Sequence, residues 1–210
     1  MPITKSGQDE APTWCELSYF EVVPLAAGET REFARRGKRE KIIVGAGQCR
    51  IQRGGQAVEG EYKTNVDLEG DGDYFEVTAG DGPTTLVWMC GDWEDETASG
   101  IFTVDKGDGR EDKGDAVDYS KETSFDCHYH DCDEYWILFA GSGVAVSEGQ
   151  SYDVGPGDCV ATGMGFHHDF PVVHEPVKSV YFETGLEGQQ RRGHLWNHTH
   201  GEAVPQAERV

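Results

Sequence analysis

The sequence predicts a mostly β fold, a barrel or sandwich of short strands, and three observations predict it. Short apolar runs of strand length recur: Lys41-Ile42-Ile43-Val44, Thr85-Leu86-Val87-Trp88-Met89, Tyr135-Trp136-Ile137-Leu138-Phe139 and Ser179-Val180-Tyr181-Phe182. They are rich in β-branched and aromatic side chains, which suit a pleated, half-buried surface. Glycine-rich turns separate them, with 28 glycines among 210 residues. No long apolar stripe with the helical period of 3.6 competes with these runs. Hydrophobic residues make up only 37 %, but aromatics at 10 % are enough for a packed core and argue against disorder. The length suits one large domain or two small ones.

The runs fall into two groups around the most polar stretch, Val104 to Asp115, which reads as a linker. The groups resemble each other. Ile42-Ile43-Val44-Gly45-Ala46-Gly47 is similar to Leu138-Phe139-Ala140-Gly141-Ser142-Gly143, 96 positions later. Gly91-Asp92-Trp93-Glu94 followed by Gly100 is similar to Gly185-Leu186-Glu187 followed by Gly193, about 93 positions later. The expected organisation is a unit at 15–103, a linker at 104–116 and a second unit at 117–201.

Charge narrows the partners. The chain has 18 basic and 39 acidic residues, a net charge of -21. That field repels a phosphate backbone and an anionic bilayer, so neither nucleic acid nor membrane is an expected partner. No apolar run is long enough to span a membrane, and the first residues lack the pattern of a signal peptide, so a cytoplasmic location is expected. Six scattered cysteines without a CxxC pair read as free thiols.

The stretch with chemistry is Cys127-His128-Tyr129-His130-Asp131-Cys132-Asp133-Glu134. In a regular strand alternate side chains share a face, so His128, His130 and Glu134 point the same way. Two imidazoles and a carboxylate form most of a metal site and suit Fe, Mn, Ni, Co or Zn. Cys132 and Trp136 share that parity. Tyr129 and Tyr135 have the other and are expected outside the lumen.

These residues resemble the first motif of the cupin superfamily: HxH, three residues, Glu, six residues, Gly. Here the match is His128, His130, Glu134 and Gly141. The motif's usual leading glycine is Glu122. The second motif begins at Gly157, and its spacing puts His168 at the ligand position, in preference to its neighbour His167. The usual proline is Gly163 and the usual asparagine is Val172. The resemblance, which covers residues 117–185, implies a double-stranded β-helix (jelly-roll) barrel, and with the internal repeat two tandem barrels are expected. It also implies one divalent metal ion on His128, His130, Glu134 and His168. An offset of 96 maps these ligands to Glu32, Ala34, Lys38 and Gly72 in the first unit, which cannot rebuild the site.

Such a site points to a small-molecule substrate. The expected chemistry is isomerase- or epimerase-type proton transfer on a sugar or keto acid, with His167 and Glu183 as acid/base candidates. The alternatives are a non-haem Fe(II) dioxygenase and a metal-containing binding module without turnover. His194, His198 and His200 read as a surface tail. Arg191 and Arg192 either pair with surface acids or hold a substrate carboxylate or phosphate. A homodimer through barrel faces is a further expectation of the resemblance. No phosphate-binding glycine loop and no GxSxG elbow is present.

Overall fold

A computed structural model describes residues 3–68, 74–107 and 111–210. Along the chain run β1 (Ile3–Lys5), β2 (Leu17–Leu25), β3 (Thr30–Ala34), β4 (Arg39–Ala46), β5 (Gln48–Arg53), β6 (Gln56–Glu61) and β7 (Asn65–Asp67). They are followed by β8 (Tyr74–Ala79), β9 (Thr84–Gly91), β10 (Glu96–Val104), β11 (Asp133–Ser147), β12 (Gln150–Val154), β13 (Asp158–Thr162), β14 (His168–Thr184) and a single helical turn, α1 (Asn197–His200). The four apolar runs lie within β4, β9, β11 and β14. No helix of the described residues is long and apolar enough to cross a membrane.

Two four-stranded sheets, ordered β2-β9-β4-β7 and β3-β8-β5-β6, face each other. A six-stranded sheet is ordered β1-β13-β11-β14-β10, with β12 on β11. Among the described residues every strand pairing is antiparallel, and the fold is the jelly-roll β architecture that the sequence predicts.

The period of two along each strand decides where side chains go. On β11, Trp136 and Leu138 point into the lumen of the six-stranded sheet with Val160, Phe170 and Val177. The alternate residues Tyr135, Ile137 and Phe139 point outward onto Phe20, Ile43 and Met89 of the β2-β9-β4 face. With both faces covered, β11 is buried from Asp133 to Phe139, which is why it reads as an unbroken apolar run. The lumen between the two smaller sheets is filled by Phe33, Phe75 and Trp88, packed ring to ring.

The ladder of β4 on β9 recurs in β11 on β14. In the first, Arg39 faces Gly91, Ile42 faces Trp88 and Val44 faces Leu86. In the second, Asp133 faces Thr184, Trp136 faces Tyr181 and Leu138 faces Ser179. Arg39 to Asp133 is a step of 94 positions, and Gly91 to Thr184 is a step of 93.

This register corrects the 96-residue mapping. Glu134 faces Glu183, and the residue in its place on β4 is Glu40, facing Cys90. Lys38 lies before the strand and pairs with Asp92 at the surface. Glu40 is buried and already used: it accepts from Arg36 N–H (2.5 Å), Gly37 N–H (3.1 Å) and Trp88 Nε1–H (3.2 Å). Glu32 and Ala34 lie on β3, and Gly72 falls outside the described residues.

Two segments cross the expected unit boundaries. β10 hydrogen-bonds to β14 from Glu96 to Val104, and β1 pairs with β13. The long β14 offers an edge beyond β11, and β10 covers it. Of the polar stretch after Val104, residues 108–110 lie outside the described residues.

Candidate metal centre

The site is assembled by backbone pairing. His128 and His168 form an antiparallel bridge, with His168 N–H donating to His128 O (2.9 Å) and His128 N–H to His168 O (3.2 Å). Their side chains are thereby neighbours. The next residue, Tyr129, pairs the other way, exchanging hydrogen bonds with Leu195 (2.9 and 3.0 Å). The chain from 128 to 129 is thus clamped between the start of β14 and the C-terminal segment. Residues 130–132 then bend before β11 begins at Asp133. The regular strand expected over 128–134 is therefore interrupted, yet His130 and Glu134 still reach the same point.

His128, His130, Glu134 and His168 are all buried, and one potential ligand atom from each lies within 4.8 Å of the others. His128 Nε2 is 3.1 Å from His130 Nε2 and 3.0 Å from His168 Nε2. Glu134 Oε2 is 2.8 Å from His168 Nε2 and 3.3 Å from His130 Nε2.

The surroundings fix two tautomers. His128 Nδ1 lies 2.7 Å from Asp126 O, and His168 Nδ1 lies 3.0 Å from Phe166 O. A carbonyl only accepts, so in the neutral rings each Nδ1 carries the hydrogen and each Nε2 presents a lone pair. Two lone pairs 3.0 Å apart repel unless a cation lies among them. Among the described residues the buried Glu134 Oε2 receives no hydrogen bond, so it stands with these ring nitrogens as a further open acceptor. This donor set fits one divalent metal ion.

Charge follows the same logic. Burial, then the neighbouring imidazoles, push His128 well below the ordinary histidine value. Burial also keeps His168 low, outweighing Glu134 beside it. Burial acts against the charged form of His130, but the Glu134 carboxylate overcomes it and raises that ring. Burial likewise opposes a charged Glu134, and the His130 ring beside it holds it well below the usual carboxylate range. Glu183 is raised, by burial and then by Glu134.

A cavity of about 340 Å³ opens onto the cluster, within the range of small-molecule sites. His128, Glu134, Trp136, Phe102, Phe125, Tyr181, Glu183, Arg192 and His194 are among its lining residues. Glu183 is buried on β14, and its Oε2 accepts from Cys132 Sγ (3.6 Å).

His167, expected as an acid/base candidate, lies elsewhere. Its Nε2 meets Asp115 Oδ2 (2.9 Å) and its ring packs on Tyr129, because adjacent strand residues face opposite ways. Trp136 packs its ring against His168 as an apolar wall. Tyr135 turns outward and its hydroxyl accepts from Glu16 N–H (3.0 Å), while Tyr129 donates to Gly201 O (2.8 Å).

The histidines read as a surface tail divide. His194 stacks parallel on His128 at 3.6 Å, with its Nδ1 2.8 Å from Asp126 Oδ2. His198 and His200 stay at the periphery, His198 on Asp115. Sequence reasoning missed His194 because the Tyr129–Leu195 bridge that delivers it joins distant segments. The only local signal was the recurring Gly193.

The jelly-roll topology, with a three-histidine, one-glutamate cluster in its lumen, is a cupin-type fold. Solved structures share the fold. An iolB-like protein from Salmonella typhimurium has a TM-score of 0.53 at 14 % identity, covering 86 % of this chain and 88 % of that one. Ylba from E. coli has a TM-score of 0.51 at 10 % identity, covering 80 % and 77 %. Oxalate decarboxylase from Lactobacillus farciminis has a TM-score of 0.50 at 10 % identity, covering 88 % and 86 %. At such identities the likeness is one of fold. No family model matches the chain. The chain belongs to the family of "Uncharacterized protein y4oW" from Sinorhizobium fredii, with 42 % identity over 214 residues, covering 100 % of this chain and 97 % of that protein.

Proposed function

We propose that this protein is a metal-dependent enzyme that moves a proton on a small oxygenated metabolite, a sugar or keto acid, in an isomerase- or epimerase-type reaction. The observation that carries the reading is one cavity bordered both by the candidate metal ligands and by a second buried carboxyl, Glu183. A divalent ion held by His128, His130, Glu134 and His168 supplies Lewis acidity toward a substrate oxygen. Glu183 faces Glu134 across the β11–β14 ladder. From there it accepts a proton from the carbon beside that oxygen and returns it. Phe102, Phe125 and Trp136 form the apolar walls that exclude water. The recurring strand register supports a duplicated arrangement with units at 15–103 and 117–201. The aromatic-filled first lumen is then structural and the second is functional. The six free cysteines fit a reducing cytoplasm.

Deuterium wash-in, followed by NMR on a panel of aldoses, 2-hydroxy acids and 2-oxo acids, tests the reading. The protein exchanges a carbon-bound proton of at least one compound. Glu183→Gln retains the metal but slows exchange about 10²- to 10⁴-fold. Exchange unaffected by Glu183→Gln removes that residue from the mechanism. Substrate-dependent O2 uptake after Fe(II) loading, with no exchange, transfers the protein to the dioxygenases. Binding without exchange or O2 uptake makes it a binding module.

A further inference from the structure

The proposed chemistry leaves one charged group of the cavity unused. Arg192, on the segment between β14 and α1, is the lining residue with a permanent positive charge. Its Nη1 donates to Thr97 O (2.7 Å), which pins the guanidinium across the rim to β10. Among the described residues no carboxylate lies within ion-pair distance of it, in a chain with 39 acidic and 18 basic residues. Its neighbour Arg191 is engaged differently. Asp131 grips Arg191 at two points (Nε–Oδ2 2.9 Å, Nη2–Oδ1 3.0 Å), and Arg191 Nη1 donates to His200 O (2.9 Å). Arg191 therefore anchors the segment, while the exposed Arg192 leaves most of its N–H donors unused by the described residues.

The occupant follows from charge. A chain of net charge -21 repels anions at long range, and Glu134 and Glu183 border the same cavity. A neutral sugar needs no cation there. A carboxylate does, and the planar guanidinium fork matches it with two parallel hydrogen bonds. We propose that the cavity recognises a small hydroxy- or keto-carboxylate, with its carboxylate on Arg192 and its neighbouring oxygen directed at the cluster of His128, His130, Glu134 and His168. This inference rests on the function proposed above and narrows sugar or keto acid to the acid.

The test is calorimetric titration of the Mn(II)-loaded protein with lactate and with its neutral amide, lactamide, and elemental analysis of the same samples. Lactate binds at least about tenfold more tightly than lactamide. Arg192→Gln abolishes that preference by weakening lactate alone, with Mn(II) content unchanged, and Arg192→Lys restores part of it. Equal affinity for the two compounds, binding of neither, or unchanged lactate affinity in Arg192→Gln overturns the inference while the metal reading stands. Failure of the parent protein to take up Mn(II) overturns both.

Discussion

At positions 128 and 168 two backbone carbonyls decide what the imidazoles do. Asp126 O and Phe166 O each hold an Nδ1 hydrogen and so turn both Nε2 lone pairs inward. The same economy is visible at Asp115, which ties the C-terminal segment down. Its carboxylate accepts from Asn197 N–H (2.7 Å) and His198 N–H (3.3 Å) and meets His167 Nε2 (2.9 Å) and His198 Nδ1 (2.7 Å). Burial opposes its charge, but these bonds win and hold the carboxyl below its ordinary value. A carboxyl lowered by folding stabilises above the unfolded value of about 3.9, and that contribution is lost as pH falls through the lower folded value. Amide protection at residues 195–200, measured against the intrinsic exchange rate at each pH, should therefore fall below about pH 4, ahead of β11. Asp115→Asn should show faster exchange there already at neutral pH. Protection that is independent of pH in the parent contradicts this.

At the scale of elements, the C-terminal segment explains why the second cupin motif departs from its usual form. A Cβ at Gly163 would lie 2.4 Å from Arg209 O, and one at Gly165, where φ is +80°, would lie 2.3 Å from Val204 O. The tail passes over this turn, and Gln206 N–H donates to Met164 O (3.1 Å). The glycine at the motif's proline position thus makes room for the tail. Gly163→Ala should cost about 1–3 kcal/mol in chemical denaturation, as overpacking does. It should also open residues 203–210 to proteolysis. An unchanged midpoint and an intact tail would falsify the account. The strands themselves were legible, since apolar runs such as 135–139 carry their own signature. The local spacing around His128, His130 and Glu134 was legible too, although the chain bends at 130–132 and reaches the shared point by a less regular route. The placements of His194 and Arg192 were not legible, although a substrate carboxylate or phosphate was one of the two partners the sequence offered Arg192. They depend on a bridge between Tyr129 and Leu195 and a hydrogen bond to Thr97 O, which local patterns do not encode.

Across the whole molecule the sheets are interlocked. β1 and β10, which come early in the chain, complete the sheet that carries the site. Behind that sheet, Phe20, Ile43 and Met89 support Tyr135, Ile137 and Phe182. Burying a side chain of this size is worth about 1.5–3 kcal/mol, so the backing fixes β11 and β14 firmly. Recurrence was visible in the sequence, where the Gly100–Gly193 match gave an offset of 93, but the match of Gly45 and Gly47 with Gly141 and Gly143 gave 96, whereas the ladders step by 94 and 93. Turn glycines can recur without marking equivalent strand positions, and that shift is what exchanged Glu40 for Lys38. This scaffolding brings four side chains, His128, His130, Glu134 and His168, to one point that fits a metal ion. Elemental analysis of tag-free parent protein, His168→Ala and His167→Ala tests that fit most directly. The account predicts about one equivalent of divalent transition metal in the parent and in His167→Ala, and loss of most of it in His168→Ala, with all three folded. A parent without metal, or His168→Ala with its metal intact, contradicts it.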